Sequence, residues 1–201
     1  MARIGARRSA SVGGAADALD TAPDDATDAT LWHVLLVGGT RAQWQALDDD
    51  GWSQMMAGLG AVADGVGARW LVLRPLDDAA SAGAGAAPAV RQQAVGGCTV
   101  TADAEVDGRA RFVTAVESLR RDGVAITEDA VDRVLDAPAE ANPDLAVVLG
   151  PAECWPRPLM WELAYSELVY LDVPWDALQP AHLADAITAY AQRHRRFGGV
   201  D

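Results

Sequence analysis

The chain has 201 residues, half of them apolar, which is enough to bury one substantial core, and its formal net charge of -13, with every basic residue an arginine, offers no basic stripe to a nucleic acid. Cys98 and Cys154 lie far apart and outside any paired Cys/His spacing, so neither a disulfide framework nor a zinc site is expected and a reducing compartment fits best. No run reaches the roughly 20 apolar residues that cross a bilayer, and the Arg3, Arg7, Arg8 start lacks a following apolar segment, so a cytoplasmic protein with at most peripheral membrane contact is expected.

Residues 1–30 are rich in Ala, Asp, Ser, Gly and Thr and hold hardly any large apolar side chain. Such a stretch cannot repay the entropy of ordering, so it reads as a disordered tail ahead of one domain over residues 31–201. The apolar run Leu31-Trp32-His33-Val34-Leu35-Leu36-Val37, stopped by Gly38-Gly39-Thr40, has the continuous pattern of a strand covered on both faces. Trp52, Met55, Met56, Leu59, Val62 and Val66 then repeat at helical spacing, with Asp50 as a candidate N-cap and Gly65 and Gly67 as the stop.

Trp70–Leu73, Cys98–Thr101 and Leu145–Leu149 read as further strands. Strands alternating with helices imply an α/β fold, a central and mostly parallel sheet flanked by helices. Residues 79–97, rich in Ala and Gly, read as a flexible loop with room for one short helix. Phe112, Val113, Val116 and Leu119 form one helical face, and Thr127 caps a short helix that ends near Leu135. Trp161–Tyr170 and His182–Arg195 supply the last helices.

His33, His182 and His194 show no metal-ligand spacing and read as structural. Gly38-Gly39-Thr40 after a strand has the form of a phosphate-cradling turn, but neither a G-x-G-x-x-G pattern nor a P-loop lysine follows it.

Three stretches in the last quarter carry a resemblance. Leu159-Met160-Trp161-Glu162-Leu163-Ala164-Tyr165-Ser166-Glu167-Leu168, then Asp172-Val173-Pro174-Trp175, then Arg195-Arg196-Phe197-Gly198-Gly199 are similar, in order and spacing, to the "LLWQ.AY.EL", "D..WP" and "RRFGG" signatures of the cis-prenyltransferases, the undecaprenyl diphosphate synthase family. Upstream, His33–Val37 resembles the family's opening strand, Trp44 its following aromatic residue, Gly108-Arg109 its "GGR" turn and Asp144-Leu145 the start of its final motif. The resemblance implies a cis-prenyltransferase-like fold over Leu31–Gly199, with gaps.

The departures are concentrated in the family's catalytic motifs. Its first strand runs into Asp-Gly-Asn-Gly-Arg, whose aspartate binds magnesium; the matching loop here is Gly39-Thr40-Arg41-Ala42-Gln43, and a glycine has no carboxylate for a hard divalent cation. The family's "GH..G" helix start is Gly51-Trp52-Ser53-Gln54-Met55, preceded by Asp48, Asp49 and Asp50 in place of basic residues, and three carboxylates would repel a diphosphate. The "FSSEN" strand end falls on Arg74-Pro75-Leu76-Asp77, and the "R.SGE.R.S" clamp on Leu149-Gly150-Pro151-Ala152-Glu153-Cys154-Trp155-Pro156, without either clamp arginine. The 79–97 stretch is also much shorter than the family segment that lines the product tunnel.

What the resemblance leaves intact matches the accessory subunits of heteromeric cis-prenyltransferases, whose terminal Arg-x-Gly reaches across the interface to isopentenyl diphosphate. On this resemblance Arg196 and Gly198 are the expected diphosphate-binding residues in trans, since a guanidinium beside a side-chain-free backbone N–H offers charge and donors without obstruction. The expected partner is a catalytic cis-prenyltransferase subunit that holds the magnesium, with no metal held by this chain. Trp161, Tyr165 and Trp175 are assigned to the dimer interface, and Glu167 reads either as a residue assisting metal or diphosphate in the partner's site or as a surface helix carboxylate. Two other expectations stay open: a self-sufficient isoprenyl transferase using Asp48–Asp50 or Glu153 as metal carboxylates, and a homodimeric pseudoenzyme that binds an unrelated partner.

Overall fold

The computed structural model describes residues 31–76, 90–105, 107–151, 159, 161, 163 and 166–197, the last four of these by backbone only. The expected tail over residues 1–30 lies outside the described residues. In chain order the elements are β1 (His33–Val37), α1 (Arg41–Ala46), α2 (Asp49–Gly65), β2 (Trp70–Arg74), β3 (Arg91–Val95), β4 (Cys98–Ala102), α3 (Gly108–Arg121), α4 (Glu128–Leu135), β5 (Leu145–Leu149), β6 (Glu167–Leu171) and α5 (Pro180–Phe197). The six strands form one sheet in the order β3-β4-β2-β1-β5-β6, parallel throughout except for β3, which runs antiparallel to β4.

Every residue of β1 and β5 is buried, as expected of central parallel strands covered on both faces. Their alternating side chains divide the core in two. Val34, Leu36, Leu71, Leu73, Val100, Leu145 and Val147 face α2 and α5, meeting Trp52, Leu59, Leu183 and Ile187. Leu35, Val37, Val72, Ala146 and Val148 face the opposite side and meet Leu159 and Leu163. Truncating one of these, Leu36→Ala for instance, removes buried methylenes from a packed site and costs about 2–5 kcal/mol.

Several expectations are corrected. The 79–97 stretch is not wholly loop: Arg91–Val95 is an edge strand with Gln92 and Ala94 exposed, while residues 77–89 lie outside the described set. Trp161–Tyr170 is not a helix either. A single turn, closed by Leu163 N donating to Leu159 O at 3.0 Å, gives way to β6, where Val169 and Tyr170 favour an extended backbone. Helix α2 is capped not by Asp50 but by Asp48, whose Oδ1 accepts from Gly51 N at 2.8 Å. On α3, Phe112 and Val113 are exposed, and the packed face is Ala115 with Leu119, which meets Ala130, Val131 and Leu135 of α4. Thr127 caps α4 as expected.

The amino ends of β1, β5 and β6 are tied together by Asp144. Its Oδ2 accepts from Trp32 N at 2.8 Å and His33 N at 2.9 Å, its own N–H donates to His33 O at 2.9 Å, and its carbonyl accepts from Glu167 N at 3.0 Å. His33 is buried beside this knot, with Nδ1 2.7 Å from Ala141 O and Nε2 buried without a hydrogen-bond partner. Burial pushes its pKa down, against the opposing pull of the Ala141 carbonyl and the Asp144 charge.

A depressed histidine pKa means that below the ordinary value of about 6.5 the unfolded chain takes up a proton that the folded chain refuses. Stability is therefore fully present above that pH and falls on acidification through the window down to the native pKa, at a slope of up to about 1.4 kcal/mol per pH unit. Urea unfolding at pH 7.5 and 5.5 should show this loss in the natural chain and a smaller one in His33→Phe; equal losses would show that His33 is not the group responsible.

Candidate functional site

In an open α/β sheet, ligands bind outside the carboxyl ends of the strands where the strand order reverses. The chain moves outward from β1 through β2 to β4 on one side and from β5 to β6 on the other, so the reversal falls between β1 and β5. At that point β1 runs into Gly38, Gly39 and Thr40. The turn is pinned by Gly38 N donating to Arg74 O at 2.9 Å and Leu76 N donating to Gly39 O at 2.8 Å. Thr40 and Gln43 form a capping box that opens α1 at once, so the loop is short and its backbone fixed.

The crevice is filled by indole rings. Trp44, at the end of that turn, donates through Nε1 to Gly38 O at 2.8 Å. Trp44 and Trp52 meet edge to face at 4.9 Å between centroids, and Trp44 stacks on Trp175 at 5.4 Å and 20°. Gly39 has φ +72, a left-handed conformation, and a Cβ built on it would stand 2.6 Å from Trp175 Cδ2 and 3.0 Å from Trp44 Cδ1. On its other side Gly38 approaches Leu149 so closely that a Cβ there would stand 2.5 Å from its Cδ1. The neighbours of residue 39, which the resemblance matches to the family's metal aspartate, are therefore two aromatic rings, Trp175 and Trp44, with Leu149 against the adjoining Gly38. A hard divalent cation needs oxygen ligands, and among the described residues no carboxylate stands beside residue 39 to supply one.

The expected site residues fall in separate places. Trp175, expected at an interface between chains, is 5% exposed and packs within its own fold. Trp161 is 38% exposed on the α3–α4 side, its Nε1 donating to Asp132 Oδ1 at 2.5 Å and its ring 5.2 Å from that of Phe112. Glu167 is the first residue of β6 rather than a helix carboxylate. It pairs in register with Leu145 at the amino end of the sheet, away from Gly39, and its Oε1 lies 3.3 Å from Arg193 Nη1. Tyr165 and Gly198 lie outside the described residues, and Arg196 lies in the last turn of α5, described there by its backbone.

Of the alternative metal carboxylates, Asp48 caps α2, Asp49 pairs with Arg91 at 2.7 Å, and Glu153 lies outside the described residues. No group of three or more His, Cys, Asp or Glu that could hold a metal occurs among the described residues. His182 Nδ1 accepts from Gln179 N at 3.1 Å, a local contact at the start of α5.

Sequence reasoning missed a second feature, beyond the ends of β2 and β4. Arg74 is buried and donates from Nη1 to Asp103 Oδ2 at 2.6 Å, beside a cavity of about 310 Å³ that Glu105, Arg111 and Thr114 also line. Burial alone would raise the Asp103 pKa. The Arg74 charge, the Glu105 N–H and the Arg74 hydrogen bond outweigh it and hold the carboxyl below its ordinary range. The available signal was an arginine closing an otherwise apolar strand.

The chain matches the model of the undecaprenyl diphosphate synthase family (Prenyltransf) over residues 84–198, the stretch from β3 to α5. It is 40% identical over 81 residues to isoprenyl transferase 2 of Bradyrhizobium diazoefficiens, 40% of this chain and 32% of that protein. With the isoprenyl transferase of Chromobacterium violaceum it shares 39% identity over 103 residues, 51% of this chain and 41% of the relative. The chain thus spans less than half the length of these curated relatives. A crystal structure of a probable undecaprenyl diphosphate synthase from Campylobacter jejuni superposes with a TM-score of 0.56 at 15% identity, covering 84% of this chain and 99% of that one, which shows the shared fold.

If the ring packing excludes a carboxylate, Gly39→Asp should lower stability by about 3 kcal/mol through overpacking and backbone strain, and its melting temperature should not respond to magnesium. Denaturant unfolding with and without magnesium checks this. A stable variant with a magnesium-dependent rise in melting temperature would mean that Trp175 yields and the site can be rebuilt.

Proposed function

This chain belongs to the undecaprenyl diphosphate synthase family, and we propose that within it the chain acts as a non-catalytic subunit, paired with a catalytic cis-prenyltransferase that makes a polyprenyl diphosphate from isopentenyl diphosphate. The observation that carries the proposal is the closed crevice: Trp175 and Trp44 stand where a carboxylate on residue 39 would have to stand. Ionising an allylic diphosphate requires the leaving group to be neutralised, and here that task falls to the partner's site, magnesium included.

The contribution of this chain is the end of α5. Arg196, in the last turn of α5, and Gly198, which follows it in sequence, bind isopentenyl diphosphate in the partner's site, the guanidinium gripping phosphate oxygens and the glycine leaving its N–H accessible. Trp161 and Tyr165 belong to the surface between the two subunits. Support comes from Trp161 beside Phe112 and Val113, which are 38%, 37% and 53% exposed and form an apolar face that water alone covers poorly. Glu167 lies at the end of the sheet remote from its own crevice, and in this reading it assists a site other than this chain's. We place the assembly in the cytoplasm, since the free, buried Cys98 suits a reducing compartment.

Incorporation of labelled isopentenyl diphosphate into polyprenyl product, with farnesyl diphosphate and magnesium, tests the reading. Product is expected from the mixture of this chain with a catalytic homologue, at a rate well above either alone. Arg196→Ala in the mixture should lower it by about ten- to a hundredfold, the loss expected when charge-assisted hydrogen bonds worth about 1.5–3 kcal/mol disappear. Product from this chain alone would overturn the reading in favour of a self-sufficient transferase; no stimulation of any catalytic homologue would favour a pseudoenzyme with an unrelated partner.

A further inference from the structure

We infer that Arg193 is a positioning residue, which clamps the last turns of α5 to the start of β6 and so sets where Arg196 and Gly198 leave the fold; the inference rests on the role proposed above for that tail. The packed part of α5 ends before it. Leu183, Ala186, Ile187 and Tyr190 recur at helical spacing and are all buried, whereas Ala191, Gln192 and Arg193 are exposed. Over Ala191–Arg193 apolar packing does not hold the helix, and a helical turn without tertiary support frays.

Arg193 supplies that support. Its Nη1 donates to Leu168 O at 2.9 Å and lies 3.3 Å from Glu167 Oε1, contacts that span 25 and 26 residues of sequence. Both acceptors sit at the beginning of β6, and Asp144 O holds Glu167 N on the β5 side at 3.0 Å, so the clamp fastens to a fixed point. The helical backbone continues to Phe197. Arg196 follows Arg193 by three residues, about 4.5 Å of helix rise, so fixing one Cα fixes the height and phase of the other.

Stability does not account for the contact. The Arg193 side chain is half exposed, and pairs of this kind add only about 0–1 kcal/mol. Its effect is directional: the two N–H bonds of Nη1 lie in the fixed plane of the guanidinium and reach two acceptors at once, a geometry that a freely rotating lysine ammonium on a flexible stem holds less firmly.

Two measurements test this. Amide hydrogen exchange on the isolated chain should show faster exchange at residues 194–197 in Arg193→Ala, with residues 183–190 and the melting temperature unchanged. In the reconstituted mixture the same variant should raise KM for isopentenyl diphosphate on the order of tenfold, leaving kcat and subunit affinity near their starting values, and Arg193→Lys should recover part of the loss. Unchanged exchange in Arg193→Ala, or faster exchange with no change in KM, would overturn the inference, as would a KM rise accompanied by a fall in melting temperature that lysine does not repair. An Arg196→Ala control without effect would instead locate the failure in the reading of the tail, and would take the positioning role down with it.

Discussion

The contact between Gly39 and Trp175 decides what the sheet can offer a ligand. Gly39 belongs to the turn leaving β1, and Trp175 follows β6; the two meet only because β5 and β6 lie on one side of β1 and β2 on the other. Once the indole lies over the turn, residue 39 cannot carry a side chain. Trp44 and Trp52 complete the packing, and they anchor α1 and α2 to the same point. Closing the crevice and fastening the two helices are one physical event.

Such a closure also favours the folded state. A metal and diphosphate site keeps like charges and unfilled space at the end of a sheet, at a cost in stability that activity justifies. Tryptophans each bury about 150–250 Å² of surface, and a glycine at φ +72 carries no strain that a larger residue would. The buried Arg74 is paired with Asp103 at 2.6 Å. Breaking such a pair from one side costs about 3–5 kcal/mol, whereas the intact pair adds little, so it acts mainly to fix the ends of β2 and β4 relative to each other.

Much of this fold is legible in the sequence, for a definite reason. β1, β2, β4 and β5 are covered on both faces, and double coverage writes itself as continuous apolar runs such as Val34-Leu35-Leu36-Val37 and Leu145-Ala146-Val147-Val148-Leu149. The edge strands escape notice because one side of each faces outward. Arg91-Gln92-Gln93-Ala94-Val95 has too little apolar content, and the Leu163, Val169 and Tyr170 region preserves a spacing that also suits a helix. Reading the site was partial in the same way. The loss of the carboxylate at Gly39 and the exchange of a histidine for Trp52 are visible residue by residue, but that Trp44, Trp52 and Trp175 converge is a tertiary fact that no local spacing reveals. The sequence alone therefore assigns Trp175 to an interface, and nothing local in it marks the contact between Arg193 and Glu167.

Apart from the Arg74–Asp103 pair at the carboxyl ends of β2 and β4, a second polar cluster lies at the amino end of the sheet. Asp144 ties the starts of β1, β5 and β6; Glu167 opens β6 beside it; Arg193 reaches in from α5. Tyr190 is buried nearby, its hydroxyl pKa pushed up by burial first and then by the charges of Asp144 and Glu167, so it stays protonated and can donate. This cluster couples the sheet to the one helix that continues toward the terminal arginines. In the partner-subunit role proposed above, the amino end of the sheet would set the angle at which that helix leaves the fold. The same strands that position a catalytic turn at one end would thereby position a donated tail from the other.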